Sequence, residues 1–558
     1  MLPLVRDLIA AKIEKALELA MSQRILPLES VPKVTLEHPS NSEHGDFATS
    51  LPLRLARATR IAPMDIAETL IQLIPPSQEV GHVWAAHPGF INFVLRDEWL
   101  QQHTEAILEA GSSYGTLEAA TPQKVMVEFV SVNPTGPVHV GHTRGAVLGS
   151  ALAAILDAAG HSVTQEYYVN DAGTQMELFY ASVQARYLQA QGELIPLPTG
   201  GYQGDYVIEL AQEILAQQGA KYVQMDRDTA IHEIGNIARE KMVDLIRRDL
   251  LGLGIEFDIW FGEGSLYTSG EYDRAIGLLE QAGYLAQREG ALWFTSSALG
   301  EDRDNVVIRS SGAPTYFASD IAYHHNKFIE RGFDRVINIW GADHQGHVAR
   351  LKVAMEALGI DPDRLEIIIS QMVTLRRGNN VIKVSKRSGE FVTLRELVGE
   401  VGPDACRYFF LARSPGSQMD FDMELATKES SDNPVYYIQY AHARIASILN
   451  NAREQGINWS VGDISLLKHT AELNLIRKMV LLPELVEKVS QTLEPHHLPH
   501  YALELATAFH WFYENCRVLS SNPADHTLTI ARLKLMEAAR LVLAKTLELM
   551  GMSTPARM

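Results

Sequence analysis

The sequence contains little cysteine: Cys406 and Cys516 are the two in 558 residues. They lie far apart without ligand-type neighbours, so no zinc ribbon can form and we expect no protein-ligated zinc. Buried, reduced thiols of this kind predict a cytoplasmic protein. The chain also lacks an uninterrupted apolar run of membrane length, and its charged, amphipathic start is not typical of a signal peptide. No membrane partner is therefore expected.

Basic residues are in deficit, and the net charge is −19. Because neutralising phosphate drives nucleic-acid binding, this sum argues against such a partner. The balance is uneven, however: residues 433–558 hold 12 Lys and Arg against 11 Asp and Glu, whereas the first 432 hold 37 against 57. A large acidic body can still present local basic tracks, so charge alone neither predicts nor excludes RNA binding.

A strand, a loop, a helix and a return strand are predicted over 125–171. Val125–Val130 is apolar and β-branched enough for a buried parallel strand, and apolar residues recur at helical spacing from His142 to Ala158. Val163–Val169 forms the return strand. The connecting loop, Asn133–His142, lies at the carboxyl end of a strand and the N-terminus of a helix. Free backbone N–H groups and the helix dipole favour phosphate at such a place.

Two histidines lie in the first turn of this helix. His139 and His142 can both direct ring N–H donors at a phosphate, and Gly141 leaves room for a nucleotide to approach the backbone. A His-x-x-His metal pair, or two ordinary surface histidines, is the alternative. The preceding strand, the prolines that fix the loop and the following helix favour nucleotide binding.

His139-Val140-Gly141-His142 resembles the "HIGH" motif of class I aminoacyl-tRNA synthetases. The longer run Glu128–Arg144, followed by Tyr167–Gln175, closely resembles the arginyl-tRNA synthetase family, and the resemblance spans nearly the whole chain. It implies that ATP is bound by residues of the first motif, namely Pro134, Gly136, His139, Gly141 and His142, and that both histidines are catalytic.

A second basic loop follows the predicted strand 365–374. Residues 376–389 hold five basic residues and no acid, which by itself is more often a solvated face. Lys383-Val384-Ser385-Lys386 resembles the second class I motif, "KMSKS", with Val in place of Met and Arg387 in place of the last Ser. The resemblance implies that Lys383, Ser385 and Lys386 bind ATP, and that Lys383 and Lys386 offset charge on the β- and γ-phosphates.

An arginine substrate needs carboxylates that grip a planar guanidinium. Tyr316 and Asp320 are four residues apart, hence on one helical face, and Glu263 follows an apolar, aromatic run. Taken singly, these acids are typical of surface positions or helix caps. The resemblance implies that Asp320, Tyr316 and Glu263 bind the guanidinium. It also assigns the α-amino and carboxylate groups to Glu128 and Asn133, with Gln345 as a further candidate.

The length and the 46% hydrophobic content predict about three or four domains. The resemblance implies a multidomain α/β protein whose catalytic domain is a Rossmann-like, doubly wound parallel sheet, with an N-terminal α+β domain and a C-terminal all-α helix bundle. The predicted ranges are 1–118 for an N-terminal domain that contacts the tRNA elbow, 119–390 for the catalytic domain, about 186–285 for a helix-rich insertion within it, 391–432 for a linking helical segment and 433–558 for the anticodon-binding bundle.

The bundle opens with a helix that carries Tyr436, Tyr440 and Arg444 on one face, four residues apart. These side chains are candidates for tRNA contact through base stacking and a phosphate contact. The alternative is that both tyrosines belong to the bundle core.

The resemblance implies an arginyl-tRNA synthetase reaction in two steps. L-arginine and ATP, assisted by Mg²⁺, would give arginyl-adenylate and pyrophosphate, and arginine would then pass to the 3′-terminal ribose of tRNA(Arg). A monomer is the family default. A non-catalytic tRNA-binding paralogue and another HxGH-type nucleotidyltransferase remain as alternatives. Against them stand the presence of His142 and Lys386 and the length of the chain.

Overall fold

The computed structural model describes residues 4–382 and 392–558. The first unit places helices against an antiparallel sheet of order β1-β3-β2. Helix α1 forms because its apolar residues recur every three or four positions and are buried on one side. The elements are α1 (Val5–Ser22), β1 (Phe47–Thr49), α2 (Leu51–Thr59), α3 (Pro63–Leu73), β2 (Val80–Ala86), β3 (Phe90–Leu95) and α4 (Asp97–Ala110).

The central sheet begins with two parallel strands joined by a loop and a helix. Gly149 lets that helix approach the strand end closely, because a Cβ there would lie 2.1 Å from the Phe129 ring. A helical region then precedes the third strand. The elements are β4 (Lys124–Glu128), α5 (Val140–Ala158), β5 (Ser162–Val169), α6 (Thr174–Ala190), α7 (Asp205–Gln218), α8 (Arg227–Leu251) and β6 (Ile259–Gly262).

The predicted insertion, about 186–285, is not wholly outside the sheet. Helices α7 and α8 end by Leu251, and β6 then pairs in parallel with β5 as a strand of the central sheet before the chain becomes helical again. The sheet therefore resumes earlier than the sequence pattern indicates. The pattern missed this because β6 is short and every residue in it is only half-buried.

The chain next forms a small antiparallel sheet of order β7-β8-β9 before it returns to the central one. The complete order of the central sheet is β11-β10-β4-β5-β6, with all pairings parallel. The strand order reverses between β4 and β10, where a ligand crevice is expected at the carboxyl ends. The elements are α9 (Gly264–Thr268), α10 (Glu271–Gln281), β7 (Leu285–Arg288), β8 (Ala291–Phe294), β9 (Asn305–Ile308), α11 (Tyr316–His325), β10 (Arg335–Gly341), α12 (Val348–Ala357) and β11 (Leu365–Ser370).

A further sheet of order β13-β12-β14 carries the start of the second basic loop. The segment 391–432, predicted to be helical, contributes β14, which pairs in parallel with β12. β14 has four residues that alternate between apolar and acidic. So short a pattern cannot be distinguished in the sequence from the helices around it. The elements are β12 (Val373–Arg377), β13 (Asn380–Val381), α13 (Leu394–Val401), α14 (Pro403–Leu411), β14 (Met419–Asp422) and α15 (Met423–Ala426).

The C-terminal region is a helix bundle, and the fold class predicted from the sequence is confirmed. Helix α4 of the first unit packs against α17 and α20, and α18 packs against α5. In the described part of the chain, no helix is both long and apolar enough to cross a membrane. The elements are α16 (Pro434–Glu454), α17 (Thr470–Val480), α18 (Leu482–Thr492), α19 (His497–Asn515) and α20 (His526–Leu549).

Candidate active site

The loop after β4 leaves the sheet through a strained turn. Val130 and Ser131 have φ values of 67° and 43°, a left-handed region that costs a β-branched residue energy. The Ser131 hydroxyl donates to Glu128 Oε1 (3.0 Å) and accepts from the Tyr168 backbone N–H (3.1 Å). The turn is thus fixed to the carboxyl ends of two neighbouring strands, β4 and β5.

The predicted phosphate loop ends at the N-terminus of α5. His139 is the N-cap, and its Nδ1 accepts from the Gly141 backbone N–H (3.1 Å), which places the ring proton on Nε2. The rings of His139 and His142 lie 3.8 Å apart at 35°. A Cβ at Gly141 would lie 2.8 Å from His139 Cε1, so this geometry requires glycine. Both imidazoles therefore lie side by side at the positive end of a helix.

His142 is neutral at physiological pH. Burial, and then the neighbouring His139, lower the pKa of His142 to about 3. Its Nδ1 is buried and makes no hydrogen bond to any residue that the structure describes. The ring can therefore act as a hydrogen-bonding group for a phosphate but not as a cation.

The residues on either side of the second basic loop are held by backbone hydrogen bonds, and those after the loop bond to this motif. The Ile382 N–H donates to Leu375 O (2.9 Å) on the hairpin strand β12. On the far side, the Val140 N–H donates to Val392 O (3.1 Å), and the Leu394 N–H donates to Val138 O (2.8 Å). The chain on the far side is thus bonded to the first motif. Three residues predicted for this loop, Lys383, Ser385 and Lys386, lie outside the described residues.

Arg144, one turn into α5, is fully buried. Its guanidinium donates to the carbonyls of Gln371 (3.1 Å), Ser414 (2.7 Å) and Ser417 (2.6 Å), all next to β12 or β14. Burial lowers the pKa of Arg144 to about 10, which still leaves it charged at neutral pH. Arg144 therefore holds the helix of the first motif against the sheet from which the second loop departs.

Three carboxylates converge beyond the strand ends. Glu128, Glu263 and Asp320 all raise the pKa of the Tyr168 hydroxyl, after burial, so this hydroxyl lies among them. Burial, then Glu128 and Glu263, raise the pKa of Asp320 to about 7. Burial also raises the pKa of Glu263. These three side chains form the acidic pocket, in which burial disfavours ionisation of Glu263 and Asp320 until a cation approaches them.

Glu128 already has a resident cation. The ammonium of the fully buried Lys327 is paired with Glu128 and donates to Asn338 Oδ1 (3.1 Å). Asn338 Nδ2 donates to His324 Nε2 (2.7 Å), and His324 Nδ1 donates to the Asp320 carbonyl (2.7 Å). This network fixes the helix turn that presents Asp320.

Glu263 and Asp320 form no ion pair with any described residue. Asn170, with its amide oriented to donate, bonds to Glu263 Oε2 (3.0 Å), and the Tyr267 and Ser319 hydroxyls are 2.7 Å apart beside it. Arg350 is close enough to lower the pKa of Asp320 in part. The carboxylates of Glu263 and Asp320 are therefore available to an external cation. The neutral polar groups beside them can form hydrogen bonds with a planar cation that has several donors.

Models of known protein families match three consecutive parts of the chain. The family described as "tRNA synthetases class I (R), catalytic domain" matches residues 103–409, more than half of the chain. "Arginyl tRNA synthetase N terminal domain" matches 5–95, and "DALR anticodon binding domain" matches 438–558. The chain belongs to the arginyl-tRNA synthetase family.

Curated relatives in this family align end to end. A protein of Dehalococcoides mccartyi named arginine–tRNA ligase is 53% identical over 554 residues, 99% of each chain. One of Carboxydothermus hydrogenoformans with the same name is 47% identical over 526 residues, 94% of each chain. The solved Thermus thermophilus arginyl-tRNA synthetase has the same fold, with a TM-score of 0.75, 24% identity and full coverage of both chains.

The structure brings some of the predicted arginine-site residues together and leaves others apart. Glu128, Glu263 and Asp320 converge as described. Tyr316 begins α11 and is 48% exposed, and its hydroxyl lies beside Gly173, the N-cap residue of α6. Asn133 donates through its amide to Gln175 Oε1. Gln345 is exposed in the short helical segment Ala342–His347 after β10, where its backbone carbonyl accepts from the Val348 N–H.

Several site residues were not predicted from the sequence. Asn338 interrupts an apolar strand, and a polar residue there could have been noticed. Lys327 has no such indication, because a lysine near a helix end is ordinarily solvated; it is buried because Asn326–Glu330 forms a π-helical turn. A second buried group, also missed, pairs Glu166 with Arg331 and the Tyr323 hydroxyl.

The face predicted to contact tRNA is continuous. The rings of Tyr436 and Tyr440 are stacked, 6.0 Å apart at 12°, and the Arg444 guanidinium lies 4.9 Å from the Tyr440 ring. His510 stacks on Tyr440 at 6.0 Å, and Arg444 donates to the Tyr513 hydroxyl (3.0 Å). Tyr436, Tyr440 and Arg444 are half-buried rather than core residues. Their role in RNA binding stays a prediction.

Proposed function

We propose that the protein is an arginine–tRNA ligase that activates L-arginine with ATP and transfers it to the 3′-terminal ribose of tRNA(Arg). The observation that carries this proposal is the pair Glu263 and Asp320, two enclosed carboxylates without a resident cation, beside a histidine-bearing helix N-terminus. A guanidinium satisfies both charges and offers the N–H groups that the surrounding oxygens accept.

ATP is assigned to the loop between β4 and α5. His139 and His142 face the phosphates, Gly141 lets the nucleotide approach, and Pro134 and Gly136 shape the loop, which the Tyr206 hydroxyl supports through Thr135 O (2.8 Å). Lys383, Ser385 and Lys386 are assigned to the β- and γ-phosphates by the family resemblance. Mg²⁺ would bind chiefly through those phosphates rather than through protein ligands.

Arginine is assigned to the acidic pocket. Asp320 and Glu263 would hold the guanidinium and Tyr316 would line the entrance, while Glu128 and Asn133 would meet the α-amino and carboxylate groups. Gln345 stays a further candidate. Glu128 ends β4 and Asn133 lies in the loop that follows it, so the substrate carboxylate would point towards the phosphate loop. Reaction then needs no protein nucleophile: positioning of the carboxylate and stabilisation of phosphate charge lower the barrier.

Pyrophosphate exchange tests the proposal and separates it from the two alternatives. We expect exchange that depends on arginine and is not supported by citrulline, which replaces the guanidinium with a neutral group of similar size. Reactions with and without tRNA(Arg) would show whether tRNA helps order the site. A non-catalytic paralogue would bind tRNA without exchange, and another nucleotidyltransferase would exchange without responding to arginine.

Arginine binding should depend on pH through Asp320. Its pKa of about 7, raised from 3.8, means that binding a guanidinium must expel a proton below pH 7. We expect the dissociation constant for arginine to rise by up to about tenfold per pH unit below that value and to be flat above it. Without ligand, the same group lowers stability as pH rises from about 4 to about 7, because the folded state binds this proton more tightly.

Calorimetric titration of arginine between pH 5.5 and 8 would measure this effect, with Asp320→Asn as the control that removes the titrating group. If the dissociation constant of Asp320→Asn for arginine still rose below pH 7, the proton would belong to another residue.

The stacked face of the bundle is assigned to tRNA. We expect Tyr440→Leu to weaken binding of tRNA(Arg) roughly 5- to 100-fold, since stacking of a base on an aromatic ring contributes about 1–3 kcal/mol. Trp459→Leu is a matched control, a half-buried aromatic of the same bundle stacked by Arg453. Point variants are preferable to truncation, because α4 packs against the bundle. Equal losses in both variants, or none, would remove Tyr440 from the tRNA surface.

We further propose that the ligase works as a cytoplasmic monomer. Both cysteines are buried and neither is in a disulfide, in keeping with a reducing compartment. Sedimentation of the full-length chain tests the monomer, and a concentration-dependent increase in mass would contradict it.

A further inference from the structure

The turn between α18 and α19 holds four possible metal ligands within seven residues, in the run Glu494-Pro495-His496-His497-Leu498-Pro499-His500. One ligand atom each from Glu494, His496 and His497 lies within 4.8 Å of the other two. His500 is four residues after His496, and its ring lies 6.4 Å from that of His496. None of these side chains takes part in the proposed active site or tRNA surface.

The spacing of these atoms suits a small cation. Glu494 Oε2 and His497 Nε2 are 3.4 Å apart. Bonds of about 2.0–2.1 Å to a tetrahedral zinc ion place two ligand atoms roughly 3.3–3.4 Å apart. The rings of His496 and His497 are stacked, 4.4 Å apart at 28°, so His496 would have to turn towards Glu494 and His497 to bind the same ion.

His496 also has an unmet requirement. Its Nδ1 is buried and has no hydrogen-bond partner among the described residues, which is costly for a ring nitrogen unless a ligand compensates. The other such cluster among the described residues, formed by Glu271, His325 and Glu330, also has an unpartnered nitrogen, His325 Nδ1, but its charges are already balanced. There, Arg274 already pairs with Glu271 (2.8 Å) and Glu330 (2.6 Å), so a protein cation occupies the position of a metal.

The charges around the turn select the class of ion. Glu494 contributes one negative charge, while Lys488 of α18 acts electrostatically on both His496 and His497. A site with two or three imidazoles, a single carboxylate and a nearby ammonium is poor for Mg²⁺ or Ca²⁺, which need several oxygen ligands. It suits first-row transition ions that prefer imidazole nitrogen.

We propose that Glu494, His496 and His497, completed by His500 or water, bind a divalent transition ion of the zinc type. The proposal departs from the expectation of no protein-ligated zinc, which rested on the absence of a cysteine-based zinc ribbon. An ion here fixes the turn that joins α18 to α19. Since α18 packs against α5, and Ser490 O near its end accepts from Arg335 (3.4 Å) at the start of β10, the ion steadies the contact of the bundle with the catalytic sheet.

The test uses the full-length, untagged, metal-free protein without ATP, so it does not depend on the proposed ligase activity. Titration with Co²⁺, followed by its visible absorption, should show one saturating equivalent that Zn²⁺ displaces. His497→Ala and Glu494→Gln should each weaken Co²⁺ binding by about tenfold or more, because even loss of an outer hydrogen bond to a metal ligand costs roughly 10–100-fold. Zn²⁺ should raise the melting temperature of the unmodified protein more than that of either variant.

His526→Ala, which removes an exposed histidine at the start of α20, is the control and should bind Co²⁺ as the unmodified protein does. Binding that needs millimolar Co²⁺, or binding unchanged in both His497→Ala and Glu494→Gln, would overturn the proposal. Circular dichroism of each variant shows that the bundle is folded before binding is compared.

Discussion

Replacing Asp320 with asparagine is expected to raise the arginine concentration for half-maximal adenylate formation roughly 30- to 1,000-fold, while the ATP requirement changes little. The amide keeps the size of the carboxyl group but cannot pair with a guanidinium. Loss of a charged hydrogen bond in a desolvated site costs about 2–4 kcal/mol, and each 1.4 kcal/mol is a factor of about ten. Pyrophosphate exchange at varied arginine and varied ATP measures the two requirements separately.

The ligand-free Asp320→Asn variant should be at least as stable as the unmodified protein at pH 7, because the carboxyl group makes no ion pair with a described residue and its ionisation lowers stability. Glu356→Gln, an exposed acid on α12, is the control for a change of net charge and should leave both requirements unaltered. If arginine and ATP requirements rose together in Asp320→Asn, the residue would be maintaining the site rather than binding the guanidinium.

Replacing His142 with alanine is expected to lower the rate of adenylate formation by about 10²-fold or more, with the fold intact. Removal of one donor aimed at a developing negative charge costs on the order of 10²–10³ in rate. The neutral ring acts through a hydrogen bond, so the loss should be nearly constant from pH 6 to 8. Single-turnover formation of arginyl-adenylate, measured with saturating ATP and arginine, reports this step directly.

The matched control for His142→Ala is His232→Ala, which removes an exposed histidine from α8. Its rate should equal that of the unmodified protein. Thermal unfolding should be little changed in His142→Ala, because Nδ1 of the ring makes no hydrogen bond to a described residue. A normal rate of adenylate formation in His142→Ala would show that the His142 ring takes no part in the reaction. His139 and the helix N-terminus would then remain as the phosphate site.

The sheet and the phosphate loop could be predicted because they depend on local patterns. An apolar run, a glycine-rich turn and a helical repeat fix β4, the loop and α5, and the structure places the helix start within two residues of the predicted position. β6 and β14 could not be predicted from local sequence patterns of this kind. Each is four residues long, and its position is set by pairing with strands distant in the sequence.

The acidic pocket was predicted through family motifs, and its convergence depends on contacts that no local pattern contains. Glu263 follows β6, a strand that the sequence pattern did not separate from the insertion. Lys327 neutralises Glu128 across 199 residues, and only the packed structure shows that this carboxylate already has its cation. The charge balance that leaves Glu263 and Asp320 without an ion pair among the described residues is thus a property of the fold.

The backbone bonds between the first motif and the segment that begins at Val392 also bear on how the chain can vary. Val138 and Val140 are bonded to Leu394 and Val392, so the chain between these points starts and finishes at one place. That excursion carries Glu263 and Asp320. Insertions or deletions on its surface, such as those that would lengthen α7 or shorten the β7–β9 sheet, leave its two ends in register. The residues of this excursion can therefore vary while the two bonded segments, which are proposed to flank the ATP site, keep their spacing.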